Sequence, residues 1–198
     1  MTRIAVLVSG GGTNLQALID ARERGELVSG ELSLVISTKV GVKALERAEK
    51  AGIKTKTIEK KKFSSPEEYD GAFASALSEE KIDLVVLAGF LSILGQKTLK
   101  LFENRIINVH PALIPSFCGK GFYGLHVHEE VLKYGVKVTG ATVHFVNDVI
   151  DGGKIILQKA VDVLPGDTPE TLQQRVMREA EWVLLPKAVA MFCKGEIK

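Results

Sequence analysis

Short apolar runs alternate with segments of helical periodicity along the first half of the chain. The runs Arg3–Val8, Leu32–Ile36 and Ile82–Ala88 have the composition of strands buried on both faces of a parallel sheet. Between residues 15 and 21, apolar side chains recur at helical spacing and predict a helix directly after the first strand. Repeated strand–helix units predict an α/β, Rossmann-like fold, in which a mostly parallel twisted sheet carries helices on both faces.

The same patterns place the remaining elements of this half. Of all the runs, 82–88 is the most apolar, which predicts a central strand. Further strands are predicted at 54–58 and 105–109, and further helices at 42–51, 66–78, 96–102 and 127–134. The stretch 110–125 has no period and is predicted to be a loop.

The last third of the chain does not continue the alternation of strands and helices. Two β-rich runs, 139–146 and 154–163, flank a short turn and are therefore predicted to be antiparallel neighbours. Thr168, with Pro169 after it, is a candidate N-cap for one long helix that reaches Cys193. The chain is thus predicted to be one domain, residues 1–198, whose sheet ends in an antiparallel C-terminal part.

Composition narrows the classes of function. The 198 residues carry 26 Lys plus Arg against 24 Asp plus Glu, a net charge of +2 without the basic excess typical of nucleic-acid binders. Cys118 and Cys193 form no CxxC pair, which favours reduced thiols in a cytoplasmic protein. The longest apolar stretch, Leu84–Leu91, is far below the ~20 residues of a membrane-spanning helix. We therefore expect neither nucleic acid nor membrane as a partner, and either a monomer or a homodimer.

The first candidate site is the glycine-rich turn Ser9–Asn14 between strand one and helix one. Its converging amides and the helix N-terminus suit a bound phosphate. The lysine of a P-loop is missing, Leu15 replaces the third glycine of a dinucleotide fingerprint, and Ser37–Lys39 stands where that fingerprint needs an acid. A phosphate monoester remains as a ligand. The residues alone leave equally open a turn that only connects two elements.

The second candidate is Asn108–Pro111, at the end of a predicted strand. Side chains alternate along a strand, so Asn108 and His110 point to the same side, where open α/β sheets bind ligands. An amide donor beside an imidazole can stabilise an oxyanion and move protons. Taken alone, the residues favour the plainer alternative of a core histidine with an asparagine that starts a turn.

The third candidate is the acidic turn Asp148–Gly153. A carboxylate from this turn could pair with His110 and raise its pKa by favouring the imidazolium. The alternative is that Asp and Gly are here only as turn residues.

Other polar residues carry less functional information. His144 is predicted to be a core or sheet histidine, and Lys60–Lys62 a solvated loop. His126 and His128 fall on different faces of a helix, so no metal pair and no metal site is predicted.

Together, these segments resemble the folate-dependent glycinamide ribonucleotide formyltransferase family. The matching segments, in the family's order and spacing, are 9–16, 86–94, 107–115, 140–146 and 151–153. The resemblance covers nearly the whole chain and implies a single formyltransferase domain. It also implies transfer of a formyl group from 10-formyltetrahydrofolate, as co-substrate, to the primary amine of glycinamide ribonucleotide in purine (IMP) biosynthesis.

The resemblance also assigns roles to residues. It implies that Asn108, His110 and Asp151 are the catalytic trio, in a C-terminal portion of about 106–198 that is catalytic and folate-binding. The N-terminal portion, about 1–105, is implied to bind the substrate phosphate. The residues implied to contact the substrate are Gly12, Thr13 and Asn14 at the phosphate and Glu181 near the amine. Those implied to embrace the pterin, together with Asn108 and Asp151, are Leu91, Ser92, Ile93, Leu94, Asn147, Asp148, Val149 and Ile150.

The chain departs from the family pattern at two positions. Some members have an arginine where Ser92 stands and another near Pro66, and both are missing here. We expect no side-chain contact to the folate from these positions. Lys60–Lys62 are candidates to supply positive charge in place of the missing arginines. The loop 118–124 is longer than in some members, which leaves its ligand contacts open.

Three other functions compete with this interpretation. Methionyl-tRNA formyltransferase shares the core but adds a C-terminal RNA-binding domain, whereas this chain ends at Lys198, soon after the last predicted helix. Formyltetrahydrofolate hydrolase has an extra N-terminal domain, whereas strand one here begins at residue 3. A phosphate-binding module without catalysis is disfavoured because Asn108, His110 and Asp151 occur together.

Overall fold

Seven strands pair side by side in one sheet in this computed structural model, which describes residues 1–197. The strands are β1 (Thr2–Val8), β2 (Gly30–Ser37), β3 (Lys54–Thr57), β4 (Leu84–Leu87), β5 (Ile106–His110), β6 (Val138–Phe145) and β7 (Ile155–Asp162). The helices are α1 (Thr13–Glu23), α2 (Lys43–Lys50), α3 (Pro66–Glu79), α4 (Gln96–Leu101), α5 (Leu125–Tyr134), α6 (Pro169–Val176) and α7 (Trp182–Cys193). Among these described residues, no helix combines the length and apolar character needed to cross a lipid bilayer.

The strand order is β3-β2-β1-β4-β5-β6-β7, with β4 at the centre as its sequence predicts. Neighbours from β3 to β5 are parallel, whereas β6 pairs antiparallel with both β5 and β7. The predicted α/β fold with a mostly parallel sheet and an antiparallel C-terminal part is therefore confirmed. The parallel strands all end at one edge of the sheet, which is where a ligand site is expected.

The apolar residues of β1 show how the two faces of the sheet are covered. Ile4, Val6 and Val8 belong to a core built with α1, α2, α6 and α7. Ala5 and Leu7 point the other way, into a second core built mainly with α3. All five residues are fully buried. A strand with both faces buried has no polar positions, which explains the unbroken apolar run in the sequence.

The C-terminal helix begins as predicted but is not α-helical along its whole length. Thr168 Oγ1 accepts a hydrogen bond from the Thr171 N–H at 3.3 Å, with Pro169 in the first turn, so the predicted N-cap is confirmed. The predicted long helix up to Cys193 is helical throughout, but a π-helical turn, Met177–Glu181, separates its α-helical parts α6 and α7.

Pro186 lies just beyond this π turn. It lies inside α7 and has no N–H to donate to the Trp182 carbonyl four residues earlier, where the wide turn has just ended. A π turn adds one residue to the helical path and often occurs at functional sites. Here it sets the direction in which Glu181 leaves the helix.

The antiparallel part of the sheet is closely packed at Gly140. This residue lies opposite Ala160, and a Cβ at position 140 would overlap the Lys159 carbonyl oxygen on β7. We expect Gly140→Ala to lower the free energy of unfolding by about 1–3 kcal/mol, as overpacking does, in chemical denaturation. The control is Gly71→Ala in α3, where a Cβ would meet no heavy atom closer than 3.8 Å. This change should stabilise the protein by about 0.5–1 kcal/mol, and equal losses in both variants would contradict the packing argument.

Candidate active site

Two adjoining cavities lie where β1, β4 and β5 end. The first has a volume of about 440 Å³ and is bordered by Thr13, His110 and Glu181 among others. The second, of about 280 Å³, is bordered by Leu94, His144 and residues 146–149 among others. Asn108 and Asp151 line both cavities. Another cavity, of about 420 Å³ between α1 and α2, contains none of the predicted site residues.

The glycine-rich turn Ser9–Asn14 borders the first cavity. Gly12 caps the start of α1 with a φ of 72°, and a Cβ on it would lie 2.7 Å from the Ala44 Cβ of α2. Arg47, also on α2, donates a hydrogen bond from Nε to the Gly11 carbonyl at 3.0 Å. The turn is therefore held against α2, and the N-terminus of α1, with its partial positive charge, faces the cavity through Thr13 and Asn14.

The structure brings His110 and Asp151 together, although they are far apart in the chain. His110 is the last residue of β5 and is 4% exposed. Its Nε2 donates a hydrogen bond to the Phe117 carbonyl at 2.8 Å, while its Nδ1 lies 3.6 Å from Asp151 Oδ2. Because a carbonyl only accepts, the proton of the neutral ring is on Nε2, and Nδ1 is the nitrogen that faces the carboxylate.

The loop that follows β5 closes over this pair. Phe117 contributes the carbonyl that accepts from His110, and the Gly119 N–H donates to Asp151 Oδ2 at 2.8 Å. Residues 119–124 then border the first cavity. Two backbone groups of this loop thus orient the two side chains.

The electrostatics differ from the sequence prediction for His110. The predicted rise in its pKa is wrong, because burial lowers this pKa below its ordinary value. The Asp151 carboxylate and the Phe117 carbonyl do raise the pKa of His110, but by less. Burial alone would raise the pKa of Asp151, yet the His144 ring, the Gly119 N–H and His110 together hold it below its ordinary value. At neutral pH the pair is therefore a largely neutral imidazole beside an ionised carboxylate.

His144 is a site residue that the sequence did not identify. It is buried in the sheet, as predicted, but it lies directly opposite Asn108 on the β5–β6 pair. The Asn108 amide donates from Nδ2 to His144 Nε2 at 3.1 Å. His144 Nδ1 donates to the Phe145 carbonyl at 2.8 Å, which leaves Nε2 as an acceptor. His144 thereby fixes which way the Asn108 amide points.

His144 also approaches the third member of the group, since its Nε2 lies 3.7 Å from Asp151 Oδ1. The sequence signal for this role was the position of His144 on the strand that leads into the acidic turn. To predict the contact with Asn108 from this position, one needs the register of β5 and β6, which the sequence alone does not give.

Glu181 enters the first cavity from the π turn. The side chain is 6% exposed, and its Oε2 accepts a hydrogen bond from Asn14 Nδ2 at 2.7 Å. Burial raises the pKa of Glu181 to about 7, although the Asn14 hydrogen bond acts in the opposite direction. In the same π turn, Met177 Sδ lies 3.7 Å from Thr13 Oγ1. The π turn is thus packed against the glycine-rich turn.

The two segments expected to contact a pterin border the second cavity. They are 91–94, after β4, and 147–150, after β6. The one exception is Leu91, which borders the first cavity but not the second. Leu91, Ile93, Val149 and Ile150 are large apolar side chains that remain exposed. The cavity therefore has apolar walls on irregular backbone, a common character of small-molecule sites.

The positions that depart from the family pattern have structural roles. Ser92 Oγ lies 3.2 Å from the Tyr69 hydroxyl, and Pro66 begins α3. The predicted loop Lys60–Lys62 is a short 3-10 turn, in which Lys61 and Lys62 form ion pairs with Glu59 at 3.0 and 2.6 Å.

Within residues 1–197, no group of three or more His, Cys, Asp or Glu side chains has the arrangement of a metal site. His126 is exposed and pairs with Glu129 at 3.1 Å. His128 is fully buried, and burial lowers its pKa to about 4.

Comparison with known proteins shows that this fold is that of a formyl transferase. The family model described as "Formyl transferase" matches residues 2–189, so the chain belongs to this family. The resemblance drawn from the sequence is confirmed.

The similarity extends to particular formyltransferases. Phosphoribosylglycinamide formyltransferase of Haemophilus influenzae is 38% identical over 198 residues, which is 100% of this chain and 90% of that protein. The crystal structure of glycinamide ribonucleotide transformylase 1 from Symbiobacterium toebii has a TM-score of 0.92 and 42% identity, over 98% of this chain and 89% of that one. The trifunctional purine biosynthetic protein adenosine-3 of Gallus gallus is 44% identical over 99% of this chain, which spans only 19% of that protein.

The raised pKa of Glu181 predicts how stability depends on pH. Between pH 4.5 and about 7 the unfolded chain loses this proton while the folded protein keeps it, so the burial of Glu181 costs stability as the pH rises. Above pH 7 the cost is complete, at most about 3 kcal/mol. Glu181→Gln removes the cost and keeps an oxygen that accepts from Asn14. We expect this variant to be more stable than the parent at pH 8 and to differ little at pH 5, in thermal or chemical denaturation.

The matched control is Glu179→Gln, in the same π turn but exposed. It should leave the stability unchanged at both pH values. A Glu181→Gln variant that differs from the parent equally at pH 5 and pH 8 would contradict the raised pKa.

Proposed function

We propose that this protein transfers the formyl group of 10-formyltetrahydrofolate to the primary amine of glycinamide ribonucleotide. The products are formylglycinamide ribonucleotide and tetrahydrofolate, in a step of de novo purine biosynthesis that leads to IMP. The proposal is supported by the similarity to proteins named phosphoribosylglycinamide formyltransferase over nearly their whole length.

The observation that carries the proposal is the pair of adjoining cavities with Asn108 and Asp151 in their shared wall. A direct transfer requires two ligands whose reacting atoms meet, with polar groups at the meeting point. Holding both reactants in this way replaces a bimolecular encounter by a reaction within one complex.

The ribonucleotide occupies the first cavity in this proposal. Its phosphate binds the start of α1 at Gly12, Thr13 and Asn14, where backbone amides and the helix N-terminus favour an anion. Glu181, in the same cavity, lies near the substrate's amine. Its pKa of about 7 lets it hold an ammonium group and release it as a free amine near neutral pH.

The formyl donor occupies the second cavity. The pterin lies between the segments 91–94 and 147–151, and all of these residues except Leu91 line that space. Residues 1–105 thus bind mainly the substrate phosphate, while residues 106–198 carry the catalytic groups and much of the folate site.

The chemical step is attack of the amine on the formyl carbon. A carbon–nitrogen bond forms, and the carbonyl oxygen of the resulting tetrahedral centre carries negative charge. Asn108 stabilises this oxygen with the amide N–H that is not donated to His144. The bond from the carbon to the folate nitrogen then breaks, and the formyl group is left on the substrate's amine.

His110 carries the proton between the two nitrogens. Because burial keeps its pKa low, the ring is largely neutral and takes a proton from the attacking amine, directly or through a water molecule. The imidazolium formed in this way is stabilised by the ionised Asp151 carboxylate, 3.6 Å from Nδ1. The proton then goes to the departing folate nitrogen. These steps use neither a metal nor a covalent formyl-enzyme.

The proposal is tested by incubating the purified protein with 10-formyltetrahydrofolate, with and without glycinamide ribonucleotide. We expect tetrahydrofolate and formylglycinamide ribonucleotide in equal amounts, and only when the ribonucleotide is present. Tetrahydrofolate released without it would indicate a hydrolase, and no product in either reaction would indicate a binding protein. Both of these results contradict the proposal.

Asp151→Asn tests the role of the carboxylate. The variant loses the charge that stabilises protonated His110, and we expect kcat to fall by about 10²–10³. The KM for the ribonucleotide should change little, because its phosphate binds elsewhere. Steady-state kinetics of formyl transfer measure both constants.

The control with the same charge change is Asp162→Asn, at the exposed end of β7 and outside both cavities. It should retain the parent's kcat. Normal turnover by Asp151→Asn would show that the pairing with His110 has no catalytic role.

A further inference from the structure

The segment between β4 and α4, residues 89–95, borders both cavities although it contains neither helix nor strand. Two of its large apolar side chains, Leu91 and Ile93, are 59% and 75% exposed. Leu94 is buried in the second core and anchors the C-terminal part of the segment, but Leu91 and Ile93 bury too little surface to fix the backbone around them. A segment of this kind keeps one conformation only if groups elsewhere bind its backbone.

Asp70 of α3 binds the end of this segment. The residue is 5% exposed, and its Oδ1 accepts a hydrogen bond from the Gly95 N–H at 2.9 Å. Its Oδ2 accepts from the N–H groups of Lys97 at 2.9 Å and Thr98 at 3.2 Å. Gly95 is the N-cap residue of α4 and has no side chain to cap the helix. Asp70 therefore supplies, from another helix, the oxygens that an N-cap side chain normally provides.

The fit between Asp70 and Gly95 is close. A Cβ on Gly95 would lie 2.6 Å from both Cγ and Oδ2 of Asp70, so a larger residue at position 95 would push the segment away. Hydrogen bonds to an ionised carboxylate are also stronger than neutral ones. The close approach thus fixes where Gly95 lies, and the hydrogen bonds fix the orientation of its backbone.

Other contacts hold the rest of the segment. The Phe90 ring packs edge-on against Phe73 of α3, with centroids 5.7 Å apart, and the Ser92 hydroxyl lies 3.2 Å from the Tyr69 hydroxyl. On the opposite side, the Leu91 N–H donates to Ser9 Oγ at 3.0 Å. Start, middle and end of the segment are each held, but only Asp70 makes several charge-assisted bonds.

We infer that Asp70 is a positioning residue for the formyl donor: it holds the segment 91–94 in the conformation that the donor binds. Asp70 itself lines neither cavity and therefore acts through this segment. The inference rests on the proposed function, in which the pterin contacts this segment.

Asp70→Asn tests the inference with almost no change in volume. An amide has only one accepting oxygen, so in either orientation its NH₂ group faces a backbone N–H of Gly95, Lys97 or Thr98. If the segment then holds its binding conformation about a tenth of the time, the apparent affinity for the donor falls about tenfold. We expect a KM for 10-formyltetrahydrofolate about tenfold higher, with kcat and the KM for glycinamide ribonucleotide within about twofold of the parent.

A matched control separates positioning from general weakening of α3. Ser65 is the N-cap of this helix, and its Oγ accepts from the Glu68 N–H at 3.1 Å and forms no hydrogen bond with residues 89–95. Ser65→Ala should lower the melting temperature and leave the donor KM unchanged. If both variants changed the donor KM equally, or if Asp70→Asn changed both KM values and kcat together, the role of Asp70 would be merely structural.

A second variant and a second measurement keep the inference testable if Asp70→Asn folds poorly. Tyr69→Phe removes only the hydroxyl that reaches Ser92 and should raise the donor KM by a smaller factor, again without a change in kcat. Amide hydrogen exchange at Gly95, Lys97 and Thr98 should be faster in Asp70→Asn than in the parent. Faster exchange with an unchanged donor KM would overturn the inference, whereas a parent that transfers no formyl group would overturn the proposed function instead.

Discussion

Asn108 and His144 face each other across the antiparallel pair of β5 and β6, and the rest of the candidate site depends on this pairing. A one-residue change of register would turn every side chain of β6 to the other face of the sheet. In the observed register, the His144 ring accepts from the Asn108 amide and lies beside Asp151, which follows β6. His110, two residues after Asn108 on the same side of β5, then meets the same carboxylate. A backbone constraint thus assembles a carboxamide, two imidazoles and a carboxylate.

Burial shifts the pKa values of the histidine and the carboxyl groups in opposite directions, and this difference suits proton transfer. It lowers the pKa of His110 and raises that of Glu181 to about 7, since in both cases the charged form is disfavoured. Asp151 keeps its charge because backbone and ring groups surround its oxygens. The cavity therefore holds an ionised carboxylate beside a carboxyl group whose pKa is about 7 and an imidazole whose pKa is lowered. In the proposed reaction, a proton leaves an amine and returns to a leaving nitrogen, so groups that accept and release protons easily are those required.

Much of the fold follows from the apolar pattern, because strands buried on both faces leave unbroken apolar runs in the sequence. The place of the site follows in part, since residues 9–14 come after β1, and Asn108 and His110 end β5, two parallel strands whose carboxyl ends lie at one edge. Residues 148–151 follow β6, which is antiparallel to β5, so their approach to this edge is not given by the pattern. The π turn does not follow, because one additional residue in a helix hardly alters the apolar period. The contact of His144 depends on strand register, and the low pKa of His110 depends on how completely the loop after β5 covers it. The role of Asp70 could not be predicted from the sequence either. Its hydrogen-bond partners are backbone N–H groups, and these leave no signal in the residue types.

The protonation states of His110 and His144 test the central claim most directly. Nitrogen NMR of the ¹⁵N-labelled protein distinguishes the tautomers of each ring and follows their titration. The geometry requires the neutral His110 ring to carry its proton on Nε2 and the neutral His144 ring to carry its proton on Nδ1. It also requires the pKa of His110 to lie below its ordinary value. In Asp151→Asn, which lacks the carboxylate charge, the pKa of His110 should be lower still. The opposite tautomer at either ring, or a His110 that titrates above its ordinary range, would contradict the arrangement described for this site.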